Sequence, residues 1–379
     1  MKDSTSAIHI FDEENKKDPN QPIITPLYLT STYTFGNPNE RDYSRSGNPN
    51  RSELEAILAK LDNNKYGVTF SSGSAALAAI VDLLKSGDTI AFSTDVYGGT
   101  YRFLTKVAAK RNIHLEIYDF SNLLHLKKLA TSKANIIWVE TPTNPLLKIY
   151  DIEKLAEISR TIKSTFVVDN TFATSVIQKP SLLGADIVVN STTKYINGHS
   201  DSIGGSITTS NERLYEELSF LQNASGAILS PFDAWLTTRG VRTLDVRVKQ
   251  QSASAEKIAD FLIDNDQVSK VFYPKYADAG QREIVDKQMS LFGAMVSFEL
   301  KENVDNTEFI EHLKLIPLAE SLGGIESLLD HPASMTHASI PKDEREKIGL
   351  SDGLYRLSVG IEDVDDLIAD LGNAIEASS

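Results

Sequence analysis

Between about residue 51 and residue 190, short apolar runs alternate with segments of helical length, and this alternation narrows the possible folds more than any other property of the chain. Runs at 67–70, 89–93, 114–118, 136–140, 166–169 and 187–190 have strand length and are largely apolar. Helical spacing marks 52–61, where Leu54, Ile57, Leu58 and Leu61 share one face, and recurs at 74–84, 100–110, 121–132 and 152–163. Apolar strands that alternate with helices predict a mostly parallel sheet covered on both faces, an α/β fold. After about residue 241 the pattern changes: a long helix over 245–265, mixed strands such as 294–300 and a last helix over 364–377 predict a smaller α+β domain. The first fifty residues are rich in Pro, Asn, Ser and Thr and lack periodicity, which predicts an extended arm without a core of its own. Tyr28, Tyr33, Phe35 and Tyr43 fit an arm laid on another surface. The expected division is an arm over 1–50, an α/β domain over 51–243 and an α+β domain over 244–379.

Several function classes are excluded early. A formal charge of -14 over 379 residues disfavours general binding of nucleic acid, which needs a basic surface. No apolar run approaches the roughly 18 residues that cross a bilayer. With no cysteine, neither a disulfide nor a catalytic thiol exists. The polar N-terminus shows no secretory h-region, so a cytoplasmic location is expected. His331 and His337 flank a short loop and no HExxH motif occurs, so no metal site is expected.

In a parallel sheet, ligands sit beyond the C-terminal strand ends. Ser71-Ser72-Gly73-Ser74 follows the first strand and opens a helix; a plain N-cap and an anion cradle both fit it. Tyr97 follows the second strand and either stacks on a planar ligand or packs on its loop. Glu140-Thr141-Pro142-Thr143-Asn144-Pro145 follows the fourth, a stiff turn that presents Asn144. Asp169 ends the fifth, and a buried carboxylate there needs a cationic partner from protein or ligand. Lys194 follows the sixth among Ser191, Thr192 and Thr193: a surface lysine, or a desolvated nucleophile. Together these supply what pyridoxal 5'-phosphate (PLP) requires: a phosphate anchor, a stacking ring, a carboxylate for the pyridine nitrogen and an amine for an imine.

These residues stand in blocks that resemble the Cys/Met-metabolism PLP enzymes, the transsulfuration family of cystathionine γ-lyase, β-lyase and γ-synthase. The blocks include Tyr43-Ser44-Arg45-Ser46-Gly47-Asn48-Pro49, Asp95-Val96-Tyr97-Gly98-Gly99-Thr100-Tyr101-Arg102, Val168-Asp169-Asn170-Thr171, Ser191-Thr192-Thr193-Lys194, Ala319-Glu320-Ser321-Leu322-Gly323-Gly324 and Arg356-Leu357-Ser358. The resemblance runs nearly end to end and implies a fold-type I PLP-dependent transferase. It implies that Lys194 is the imine lysine and proton shuttle, that Tyr97 stacks on the cofactor ring, and that Asp169, with Thr171 beside it, pairs with the pyridinium. It assigns the phosphate to Gly73, Ser74, Ser191 and Thr193, and to Tyr43 and Arg45 from a neighbouring subunit of a homotetramer. Asn144 and Arg356 take the substrate carboxylate, with Arg102, Glu320 and Ser321 also on the substrate side. Ser74 replaces a common methionine, which matters little where the backbone N–H is used.

The expected activity is a C–S lyase on cystathionine or related sulfur amino acids. The alternative is a cystathionine γ-synthase joining an O-acyl-homoserine to cysteine, and a non-catalytic scaffold on the same fold is a remote third. Glu320 before Ser321 resembles the γ-type enzymes and does not separate γ-lyase from γ-synthase.

Overall fold

The structure is a computed structural model that describes residues 1–335 and 349–379, so His337 lies outside the described residues. Seven strands build the larger sheet: β1 (Tyr66–Phe70), β2 (Thr89–Ser93), β3 (His114–Tyr118), β4 (Ile136–Glu140), β5 (Thr165–Asp169), β6 (Ile187–Asn190) and β7 (Gly205–Thr209). Their order is β1-β7-β6-β5-β4-β2-β3. β7 runs antiparallel to both β6 and β1, and the other pairings are parallel, so six strands point one way. The chemistry-bearing loops after β1, β2, β4, β5 and β6 therefore leave the sheet at one edge.

The period of two in each strand fills two separate cores. Ile136 and Trp138 pack on one face with Ile90, Phe92 and Val167, under the helices Gly73–Val81 and Glu212–Ser225. Ile137 and Val139 pack on the other with Phe166 and Val168, under the helix Ile152–Ile162. Four antiparallel strands form the second sheet: β8 (Val268–Phe272), β9 (Met295–Leu300), β10 (Leu328–Asp330) and β11 (Leu354–Ser358), ordered β10-β11-β9-β8. A third core joins this sheet to the helices Pro49–Leu61, Leu244–Ile263 and Val364–Ala377, so one apolar cluster spans residues on both sides of position 243.

The N-terminal stretch departs from expectation. Asp3–His9 and Asp12–Asn15 are helical, and Ala7 is buried in the same cluster as Leu54 and Leu58. Two small buried side chains, Ser6 and Ala7, with Ile10 packed beside them, dock the helix while leaving no readable periodicity. Beyond it the arm is irregular, with one isolated bridge between Thr32 and Tyr43, and it exposes Ile23 (89%), Leu29 (67%) and Phe35 (97%). β7 is absent from the apolar pattern because Gly205-Ser206-Ile207-Thr208-Thr209 carries one aliphatic side chain. Its two threonine hydroxyls are bonded inside instead: Thr208 Oγ1 donates to Asp62 Oδ2 (2.8 Å) and Thr209 Oγ1 to the Asp186 carbonyl (2.7 Å).

Gly205 opens β7 against the loop after β1: a Cβ there would stand 2.3 Å from the Ser72 carbonyl oxygen. Gly205→Ala is expected to destabilise the protein by about 1–3 kcal/mol through forced overpacking, read as a lowered midpoint in urea denaturation.

Candidate active site

A cavity of about 290 Å³ opens at the C-terminal strand edge, between the large sheet and the second sheet. At one end lies the N-terminus of the helix Gly73–Val81. The Ser72 hydroxyl accepts the Ala75 N–H (3.0 Å), so the N-cap reading holds, yet the Gly73 and Ser74 N–H groups have no acceptor among the described residues. Such first-turn groups, with the helix dipole behind them, favour an anion. A Cβ on Gly73 would lie 3.1 Å from the Ser191 Cβ, so glycine lets the two loops close into one cradle. Ser191 and Thr193 also line the cavity, but the Thr193 hydroxyl is engaged with Gly204, donating to its carbonyl (3.2 Å) and accepting its N–H (3.0 Å).

Opposite the cradle, Asp169 ends β5. Its Oδ1 accepts from Thr171 Oγ1 (2.6 Å) and from the Thr171 N–H (3.1 Å), and Thr171 Oγ1 accepts from the Ser191 N–H (2.9 Å). Among the described residues no Lys, Arg or His pairs with Asp169, and burial pushes its carboxyl above the usual range. Thr171 therefore supplies the hydrogen bonds to Asp169, which lines the cavity. Tyr97, at the rim, arches back over Gly99, where a Cβ would meet its ring at 2.3 Å; its N–H donates to Glu140 Oε2 (2.8 Å).

Lys194 sits on the turn after β6, and its Nζ donates to Ser321 Oγ (2.9 Å). Burial, helped by the Arg356 cation and opposed by Glu320 and Asp330, lowers its amine to about 8. From the second sheet Arg356, 2% exposed on β11, reaches in: Nη1 donates to Asn144 Oδ1 (2.8 Å), Nη2 donates to the Ser321 carbonyl (3.1 Å) and lies 3.5 Å from Asp330 Oδ2. Ser321 adopts a left-handed backbone (φ 96°), rare for a residue with a side chain, and Glu320 stands exposed at the cavity mouth. One helix, Leu244–Ile263, braces both loops: Arg247 donates to the Tyr195 (2.8 Å) and Ile196 (3.2 Å) carbonyls, and Gln251 Nε2 to the Gly324 carbonyl (2.6 Å).

Twelve of the fifteen residues singled out in the sequence line this cavity; Tyr43, Arg45 and Arg102 do not. Arg45 lies over the Tyr43 ring (5.7 Å) and donates to the Asn223 carbonyl (3.3 Å), while Arg102 is exposed on the helix Gly98–Lys106. The sequence reading missed Trp138, Thr100 and Glu140 in the wall and Asp330 behind Arg356. Glu140 was findable: it ends β4 as Asp169 ends β5, and the two are direct register partners.

The model of the Cys/Met metabolism PLP-dependent enzyme family matches residues 4–376. The chain belongs to this family. A cystathionine β-lyase of Lactococcus lactis subsp. cremoris is 48% identical over 357 residues, covering 93% of this chain and 94% of that protein. Among solved structures, a cystathionine γ-lyase from Lactobacillus plantarum complexed with L-serine superposes with a TM-score of 0.95 at 40% identity, covering 100% and 99% of the two chains. A cystathionine γ-synthase from Xanthomonas oryzae pv. oryzae, in complex with aminoacrylate and cysteine, gives a TM-score of 0.95 at 38% identity over 100% and 98%. As a PLP-dependent family member the chain must seat a phosphorylated pyridine, and its donor set fits one. First-turn N–H groups that have no acceptor among the described residues, a carboxylate that has no cation partner among them and an amine lowered by burial line a single cavity.

The lowered Lys194 amine has a direct readout. Below about pH 8 it is protonated; above, it is a free nucleophile while ordinary surface lysines remain charged to about 10.4. In PLP-free protein, labelling of Lys194 by an amine-reactive reagent, followed by mass spectrometry, is expected to rise with a midpoint near pH 8, well below that of the exposed lysines.

Proposed function

We propose that this family member is a C–S lyase acting on cystathionine or a related sulfur amino acid, with Lys194 as the group that carries the cofactor and then moves the proton at the substrate Cα. The observation that carries this reading is the Lys194 amine, lowered to about 8 and held at 2.9 Å from Ser321 Oγ inside a cavity that also contains Asp169 and Arg356. Bound PLP supplies the electron sink for the charge left at Cα. Asp169 and Thr171 hold the pyridine nitrogen, Tyr97 covers the ring, and Gly73, Ser74, Ser191 and Thr193 take the phosphate, Thr193 after turning its hydroxyl from Gly204. Arg356 and Asn144 grip the substrate α-carboxylate, a task suited to a planar guanidinium. Ser321 keeps the Lys194 amine aimed at Cα. Glu320 at the mouth faces the far end of the substrate.

The relatives' names put cystathionine forward as the substrate. A second reading, γ-replacement joining an O-acyl-homoserine to cysteine, is favoured by the equal TM-score of the γ-synthase structure, since both reactions start with the same proton removal. Arm, α/β and α+β units are taken as 1–50, 51–243 and 244–379. The working assembly is a homotetramer in the cytoplasm, in which Tyr43 and Arg45 reach the phosphate of a neighbouring subunit. Their place outside their own cavity and the exposed Ile23, Leu29 and Phe35 of the arm support this.

Incubation with cystathionine alone is expected to release a keto acid and a thiol; turnover only with O-acyl-homoserine plus cysteine would replace the lyase reading by the synthase. Lys194→Ala is expected to lower kcat by about 10²–10⁴-fold or more. Arg356→Lys is expected to raise KM by about 10–100-fold, as a charge-assisted hydrogen bond is lost. Arg45→Ala is expected to weaken PLP binding, measured by equilibrium dialysis, although Arg45 touches nothing in its own cavity.

A further inference from the structure

We propose that Glu140 is a positioning residue that anchors the Tyr97 loop through a neutral carboxyl group and so leaves Asp169 as the one carboxylate facing the pyridine nitrogen. This deepens the reading above and rests on its assignment of Asp169 and Tyr97 to the cofactor.

Two acids end adjacent parallel strands in direct register, Glu140 on β4 and Asp169 on β5. Glu140 is 4% exposed, lies in the cavity wall, and accepts the Tyr97 N–H on Oε2 at 2.8 Å. The charged or titratable groups that act on it or face it from packed elements are Asp169 on β5, Asp95 after β2, Arg356 on β11 and Tyr150. Asp95 adds a second acid, held by Thr143 Oγ1 (2.6 Å). Arg356 is the one cation of this group, and its guanidinium is directed to Asn144, the Ser321 carbonyl and Asp330. A protonated pyridine ring brings one positive charge into the cavity, enough to hold one of the two register partners ionised. Neighbouring buried carboxyls cannot both ionise without a second cation. Asp169, with its Oδ1 bonded by Thr171 and no protein cation beside it among the described residues, is the one placed to be the anion. Glu140 keeps its proton on the oxygen that does not accept the Tyr97 N–H. In agreement, burial and the neighbouring Asp169 push Glu140 well above the ordinary carboxyl range.

Glu140→Gln copies the shape and the acceptor of a neutral glutamic acid, whereas Glu140→Ala removes the acceptor. In full-length protein, the Gln variant is expected to bind PLP within about threefold of the parent, and its visible cofactor band is expected to keep the parent's pH dependence. The Ala variant is expected to bind PLP about tenfold more weakly, with the Tyr97 N–H left unpaired. A Gln variant whose band titrates one pH unit or more away from the parent, or whose PLP affinity changes tenfold, overturns the proposal, because Glu140 is then charged. Asp169→Asn separates the two failures. If it leaves band and affinity unaltered, the assignment of Asp169 to the pyridine nitrogen falls; if it disrupts both while Glu140→Gln shifts the titration, only the role of Glu140 falls. Should Glu140→Gln not fold, infrared spectroscopy of the parent holoenzyme at pH 9 decides, where Asp62, raised to about 7, and Asp95, raised to about 6, are already ionised. A carbonyl stretch of a protonated carboxyl group that persists in the Glu55→Gln holoenzyme, which lacks the other fully buried acid raised by burial, supports the proposal, and its absence overturns it.

Discussion

A carboxylate at the cavity end of a buried strand, with hydrogen bonds from its own chain and no protein cation beside it among the described residues, is the constraint on which this molecule depends. Asp169 is held by Thr171, and Thr171 in turn receives the Ser191 N–H, so the acid, the loop before the lysine and the helix cradle at Gly73 are linked by short contacts. A charged group in such a place is unfavourable until a cation arrives. On the proposed assignment of Asp169 to the pyridine nitrogen, binding of the protonated ring would relieve that cost, and ligand affinity and local stability would draw on the same source.

Most of the large sheet was legible because its central strands β2, β4, β5 and β6 are largely buried and read as apolar runs: β2, β3, β4 and β6 have the boundaries expected, and β1 and β5 each begin one residue earlier. β7 was illegible for the converse reason. It is stabilised by hydroxyls that meet Asp62 and the Asp186 carbonyl, partners remote in sequence. The N-terminal helix escaped because it packs through the small Ser6 and Ala7 and not through an apolar stripe.

The site was legible as far as strand ends reveal it. Gly73, Tyr97, Asn144, Asp169 and Lys194 all follow strands, and the fold rule places them at one edge. Arg356 and Ser321 came from the resemblance, because nothing local to residues 319–324 or 354–358 says that a second sheet swings them over the first. Glu140 and Asp330 were overlooked because each acts through a neighbour, Tyr97 and Arg356 respectively, and such contacts are written in register and packing. Tyr43, Arg45 and Arg102 lie outside the cavity of their own chain, and no strand-end rule separates them from the residues inside it.

The helix Leu244–Ile263 grips the loop of the amine through Arg247 and the loop of its hydroxyl partner through Gln251, about one turn apart on the same rod. Any rocking of the C-terminal half that carries this rod along shifts amine and hydroxyl together and preserves their spacing. Substitutions at the cavity mouth that leave this helix and its two bracing side chains alone therefore leave the spacing of amine and hydroxyl alone.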